Sequence, residues 1–376
     1  MDTATESVEI LPARNYSAPT DLGIISAYFN PCGYRTKMVA LHRYLQSIRR
    51  SGIPFVLVEG AFGSNDFLLP ASTDVIQVRC RDVMWQKERL LNLALQYLPA
   101  SCDKVAWLDA DILFSNPNWA IDTSQLLDAY PVVQPFEMAL WLPRGPARFR
   151  GRGLAWPSYA KVFMERPTES RNGDFDRHGH CGYAWAARRS LIDAHGLFDK
   201  SIAGGGDHLM AHAMGGDFSS SCVQKMVGHD NPYSRSFENW GKRFHQDVRS
   251  RIASVPGHLL HLWHGDKVKR RYSERSQELL DIRFDPIRDL RIGETGAWEW
   301  ATRRPELHAW AANYFSRREE DAAPEGDYHL PESVLREIAS GKLGSGHRGK
   351  GVGKMPVSKR TPAHVLQQMA RSEDWY

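Results

Sequence analysis

Residues 22–114 alternate short apolar, β-rich runs with amphipathic ones, and this rhythm confines the chain to few folds. "LGIISAYFNPCGY" (22–34) runs as a strand until Asn30-Pro31 and Gly33 turn it. In "TKMVALHRYLQSIRRSG" Met38, Leu41, Leu45 and Ile48 recur at helical spacing and Gly52 marks the stop. "IPFVLVEGAF" and "DVIQVRC" read as second and third strands, "WQKERLLNLALQYL" as a second helix and "KVAWLDADILF" as a fourth strand. Connections this short predict an α/β fold, Rossmann-like, with a mostly parallel sheet flanked by helices. Ligands of such sheets bind beyond the carboxyl ends of the strands.

Past residue 150 the rhythm weakens and glycine, histidine and tryptophan become frequent, which reads as loops built around a site. From "YSERSQELLDIRFDPIRDL" onward the pattern reads as helical. The expected organisation is a polar leader (1–20), a main domain (21–270), a helical C-terminal extension (271–338), and a flexible basic segment with a short terminal helix (339–376). With 376 residues, 42% of them hydrophobic, the chain can bury a large core. No apolar run reaches membrane-spanning length and no signal pattern opens the sequence, so the expectation is a soluble, cytoplasmic protein. Five cysteines without a CxxC argue against a disulfide framework and a zinc knot. His178, His180, His208 and Cys181 have no partner cluster at ligand spacing, so no structural zinc site is expected. The net charge of +4 suits phosphate-bearing ligands. The stretch "SGKLGSGHRGKGVGKMPVSKR" (340–360) reads as a solvated linker, with a nucleic-acid arm as the alternative.

The fourth strand carries two carboxylates, Asp109 and Asp111, in an apolar run where unpaired charge is costly. Two residues apart on extended chain they point the same way and can converge on one hard cation such as Mn²⁺ or Mg²⁺. A bare D-x-D also arises by chance, one Asp capping a turn and the other pairing with an arginine.

"WLDADILF" resembles the D-x-D motif of GT-A fold, nucleotide-sugar-dependent glycosyltransferases. "HGHCGYAWAARRSLIDAHGLFDKSIAGGGDHLMAHA" (178–213) is similar to the segment of galactosyltransferase-like and polypeptide GalNAc-transferase-like enzymes that ends in a Gly-rich loop with an acid. "HLLHLWHGD" (258–266) resembles their late histidine-bearing strand. The resemblance covers roughly residues 22–270 and makes the main domain a GT-A catalytic domain. It implies a metal-dependent transferase that moves a sugar from a nucleoside diphosphate sugar, UDP-sugar favoured, to a carbohydrate or other hydroxyl acceptor.

On that reading Asp109, Asp111 and His264 hold the metal, with Asp109 also on the donor. Asp207 is the catalytic base of an inverting displacement, with His208 standing where relatives often carry a second acid. Gly205 and Gly206 permit close backbone approach to the sugar. His261 lies out of phase with His264 on an extended strand and is expected to face away. Tyr28 and Asn30, at the end of the first strand, suit a nucleobase, or else sheet packing and a turn. Arg89 and Asn92 suit donor phosphate, or else an exposed helix face. Trp85, Trp185 and Trp263 suit stacking on the donor or sugar, or else the core. The alternatives are a glycosyltransferase acting on hydroxylated bases of DNA, a catalytically silent sugar- or nucleotide-binding protein, and a nucleotidyltransferase. The last is disfavoured because "NPCGYRTK" makes a poor phosphate loop.

Overall fold

The computed structural model describes residues 18–19, 21–142, 155–171 and 175–322. The basic 340–360 segment, the expected terminal helix and most of the polar leader lie outside the described residues.

The strand–helix rhythm of the first half is realised. Strands β1 (Leu22–Phe29), β2 (Phe55–Phe62), β3 (Val75–Cys80) and β4 (Lys104–Asp109) pair in parallel in the order β3-β2-β1-β4. Helix α1 (Arg35–Ser51) follows β1 and stops at left-handed Gly52, and α2 (Lys87–Ala94) precedes β4.

The run read as one fourth strand breaks at Ala110–Asp111. Its second part, β5 (Ile112–Phe114), leaves for another sheet. After α3 (Trp119–Ala129) come β6 (Val132–Gln134), β7 (Met138–Trp141) and β8 (Ala155–Pro157), then α4 (Tyr159–Glu165), α5 (Pro167–Ser170) and α6 (Phe175–His178). Strand β9 (Ala184–Arg188) inserts antiparallel between β4 and β6, and it alone opposes the other strands of the seven-stranded sheet.

Past residue 150, where the weakened rhythm suggested loops around a site, four helices form between residues 189 and 248: α7 (Arg189–His195), α8 (Gly206–Met214), α9 (Ser221–Val227) and α10 (Pro232–Val248). Short helices give little room for a period to show, but α10 does carry a sequence-readable start, Asn231 and Ser234 forming a reciprocal capping box. Strand β10 (Ile252–Ser254) completes the large sheet, and β11 (His258–His261) joins a four-stranded sheet of order β5-β11-β7-β8.

The C-terminal extension is not purely helical. Between α11 (Tyr272–Asp281) with the short α12 (Pro286–Asp289) and α13 (Pro305–Ser316), β12 (Leu290–Ile292) and β13 (Trp298–Trp300) form an antiparallel hairpin. Its Trp298, Trp300, Trp310 and Phe315 join the same apolar cluster as Ile25, Val58 and Trp107 of the large sheet.

Period-two alternation divides each central strand between two cores. Ile25, Val58 and Trp107 face α2 and α8, while Ile24, Leu57 and Leu108 face α1 and α3. Trp185 of β9 is fully buried, and its ring N–H donates to the Cys181 carbonyl at 2.7 Å, so it serves the core. Trp185→Ala removes this packing and leaves that carbonyl unpaired; a loss of about 3–5 kcal/mol is expected from urea denaturation.

Candidate active site

Three loops converge at the carboxyl ends of β1 and β4: the Ala110–Asp111 turn, the glycine-rich entry to α8, and the chain leaving β11. The turn sends the two aspartates to different partners. Asp109 Oδ1 lies 2.6 Å from Lys87 Nζ, and the same ammonium lies 2.5 Å from Asp207 Oδ2. Asp111 Oδ2 lies 2.8 Å from His264 Nε2, and its Oδ1 lies 3.9 Å from His261 Nε2. The two carboxylates do not share one partner, because extended geometry ends at Asp109. Both retain about a fifth of their side-chain surface, 23% and 21%, and so face the opening.

His261 does not face away. Strand β11 ends at His261, so the two-residue alternation stops there, and Leu262 N–H bonds the Asp111 carbonyl at 2.8 Å. Both rings therefore reach Asp111, and one ligand atom from each of Asp111, His261 and His264 lies within 4.8 Å of the others. Asp111 Oδ1 and His261 Nδ1 are buried without a hydrogen-bond partner. Burial alone would raise the Asp111 carboxyl, but the adjoining His264 ring overcomes this and holds it well below its usual range. Burial drives His261 well below its ordinary value, leaving it a neutral imidazole. A hard carboxylate with an orphaned oxygen beside two imidazoles fits Mn²⁺ or Mg²⁺.

Around this set the chain gathers cations. The guanidinium of Arg270, buried over Trp141, approaches His264 Nε2 at 3.1 Å. Glu320 Oε1 lies 3.3 Å from His264 Nδ1 and accepts from Arg318 Nε at 2.6 Å. Lys37, in the first turn of α1, donates to the Phe29 carbonyl at 2.9 Å; burial lowers its pKa. Asp321 caps α1 from the far end of the chain, accepting from Arg35 N–H at 2.8 Å and Thr36 N–H at 2.9 Å.

Asp207 lies in the first turn of α8, where the helix dipole favours an acid. Left-handed Gly205 leads in, and a Cβ on Gly206 would meet Glu88 Oε1 at 2.5 Å. Those glycines therefore allow the loop to close on the Glu88 carboxyl. Burial, with Asp207 and Asp109 adding to it, pushes Glu88 up to about 8 despite Lys87. Burial, aided by Asp207 and Asp111, likewise raises Asp109 to about 7. Burial opposes charge on Lys87, yet Asp109 and Asp207 hold its ammonium well above its ordinary value.

The remaining expectations divide. Tyr28 is buried, and Asn30 bonds both backbone polar groups of Tyr34 as a turn former does. Arg89 bonds Asp199 at 3.2 Å and the Gly296 carbonyl, while Asn92 bonds the Leu197 backbone, so both bind α2 to its neighbours. They line a cleft of about 990 Å³ that shares no residue with the Asp111 set. Trp85 stacks on Phe315, and Trp263 is half-buried beside His264. Tyr183 takes φ 79°, unusual for a bulky residue, where its carbonyl accepts from Asp109 N–H and its ring stacks on His180.

Sequence reasoning missed Lys37, Lys87, Glu88, Arg270 and Glu320. A local signal existed for the two lysines: each sits in the first turn of a helix, where the dipole disfavours a cation unless a specific anion holds it.

No protein-family model matches the chain, and no curated protein does. Among solved structures, it is similar to the glucosyl-3-phosphoglycerate synthase of Mycobacterium tuberculosis in complex with Mg²⁺ and UDP. That likeness has 13% identity over 70% of this chain and 79% of that one, with a TM-score of 0.35. It is also similar to the mannosyl-3-phosphoglycerate synthase of Rubrobacter xylanophilus (12%, 74% and 83%, TM-score 0.32). A further similarity is to a Drosophila β1,4-galactosyltransferase 7 mutant in complex with manganese, UDP-Gal and xylobiose (13%, 50% and 58%, TM-score 0.26). The match spans little more than half the length of that last structure.

Because the folded Glu88 carboxyl titrates near 8, above its ordinary 4.5, the folded form keeps a proton that the unfolded chain releases. This contribution is complete below about pH 4.5 and is lost as pH rises through 8. Urea midpoints of wild type and Glu88→Gln are therefore expected to agree at low pH, with the variant the more stable above pH 8.

Proposed function

We propose that the protein is a metal-dependent glycosyltransferase that moves a sugar from a nucleoside diphosphate sugar, UDP-sugar favoured, to an acceptor hydroxyl with inversion. The observation that carries this reading is the meeting of Asp111, His261 and His264 at the carboxyl end of the sheet, beside the Lys87–Asp207 pair.

Asp111 and His264, with His261, would hold Mn²⁺ or Mg²⁺. Such an ion, when bound, neutralises the negative charge that builds on the departing diphosphate. Arg270 stands beside His264 with its Nε buried and without a hydrogen-bond partner, and a planar guanidinium suits a phosphate. Asp207 would accept the proton of the attacking hydroxyl. Lys87 positions it, and Asp109 anchors that lysine. Protonated Glu88 sits against the same loop and spares the cluster a further buried charge. Trp263, half-buried and next to His264 in sequence, is of the residue type that packs on a sugar or a base. The DNA-acceptor reading draws on the 340–360 segment, which lies outside the described residues.

Release of nucleoside diphosphate from a panel of nucleotide sugars tests the proposal. Expected are release that stops with chelator and resumes with Mn²⁺, and losses of about 10²–10⁴-fold in kcat for Asp111→Asn and Asp207→Asn, both still folded. Release of pyrophosphate instead, a product of retained anomeric configuration, or full activity of Asp207→Asn would overturn it.

A further inference from the structure

Apart from the Asp111 set, the fold assembles a second group of ligand-type side chains that the proposed chemistry does not use. His178 ends α6, His208 and His212 lie one turn apart on α8, and Cys222 lies in α9. They are 0%, 6%, 0% and 5% exposed. One ligand atom from each lies within 4.8 Å of all the others. The rings contact one another, His208 against His212 at 4.5 Å and His178 against His208 at 5.0 Å between centroids.

We infer that His178, His208, His212 and Cys222 form a structural zinc site. The donor set, three imidazoles and one thiolate, is of the kind that Zn²⁺ takes in closed tetrahedral sites. Cys222 Sγ and His212 Nε2 are 3.4 Å apart, close to the about 3.6 Å that separates a sulfur and a nitrogen on one tetrahedral zinc with ordinary bond lengths.

The outer shell agrees. His212 Nδ1 is held by Asp217 Oδ2 at 2.6 Å, and Asp217 is fixed in turn by the backbone N–H groups of Ser219 and Ser220. His178 Nδ1 lies 2.7 Å from the Gly179 carbonyl. A carboxylate and a carbonyl on the far ring nitrogens set the tautomer that turns Nε2 inward, which is how metal-bound histidines are oriented.

With four protein ligands and no exposed face, the ion would clamp α6, α8 and α9 together. Its ligand His208 directly follows Asp207, so the clamp also fixes the loop that presents the candidate base.

The histidines were expected to lack a partner cluster because that reading grouped them by neighbourhood in sequence. Folding regroups them: His180 turns to stack on Tyr183 at 4.0 Å, while His212 and Cys222 come in from other helices.

The test is metal analysis of the full chain purified with zinc present, followed by Co²⁺ exchange. One zinc per chain is expected in wild type and in Asp111→Asn, with a thiolate-to-Co²⁺ charge-transfer band that Cys181→Ala keeps and Cys222→Ala loses. His208→Ala should hold less metal, and strong chelators should lower the Tm of wild type. Wild-type protein that carries no zinc and gives no such band overturns the assignment, as does a band that survives in Cys222→Ala.

Discussion

Burying a carboxylate costs several kcal/mol unless a cation or a proton compensates it, and the mouth of this sheet buries or half-buries Asp109, Asp111, Asp207, Glu88 and Glu320 together. Each is compensated differently. One ammonium, Lys87, serves Asp109 and Asp207 at 2.6 and 2.5 Å. Glu88 keeps its proton. Glu320 has Arg318, and Asp111 has two imidazoles with one of its oxygens left over. The leftover oxygen is the position that the proposed ion would fill. The turn at Ala110–Asp111 makes this division possible, by aiming two neighbouring aspartates at separate clusters.

The Lys87 cluster and the histidine–cysteine group meet in α8. Its first turn carries Asp207 toward Lys87, and its next residues carry His208 and His212 away into the histidine–cysteine group. The base role proposed for Asp207 requires that it be held within a fraction of an ångström, and a short helix on a glycine-rich lead is a poor support by itself. Packing of Gly206 on Glu88 from one side and the buried histidines on the other supplies that rigidity.

Much of the first half was legible because local and global signals agree there. The strands are apolar on both faces, the helices are amphipathic, and glycines close them. The break after Asp109 was not legible, since neither glycine nor proline marks Ala110 and the apolar run continues through Phe114. The proximity of Asp111 and His264 followed from motif resemblance, but His261 was misplaced because period-two reasoning was carried past the end of β11. The arginines and Glu320 had no local signal. They reach the site because the chain returns from residues 270–320 to cap α1, a contact set by tertiary packing. The helices of 189–248 were obscured by glycine and histidine, whose roles there are turns and burial.

The central claim is that Asp111 and His264 hold a divalent ion against a donor diphosphate, with Arg270 beside it. Anomalous diffraction from crystals soaked with Mn²⁺ and UDP tests it most directly. The account predicts a manganese peak bonded to Asp111 and His264, with the diphosphate contacting both the ion and Arg270. A manganese-free Asp111 with UDP bound elsewhere, for example in the cleft lined by Arg89 and Asn92, would contradict it.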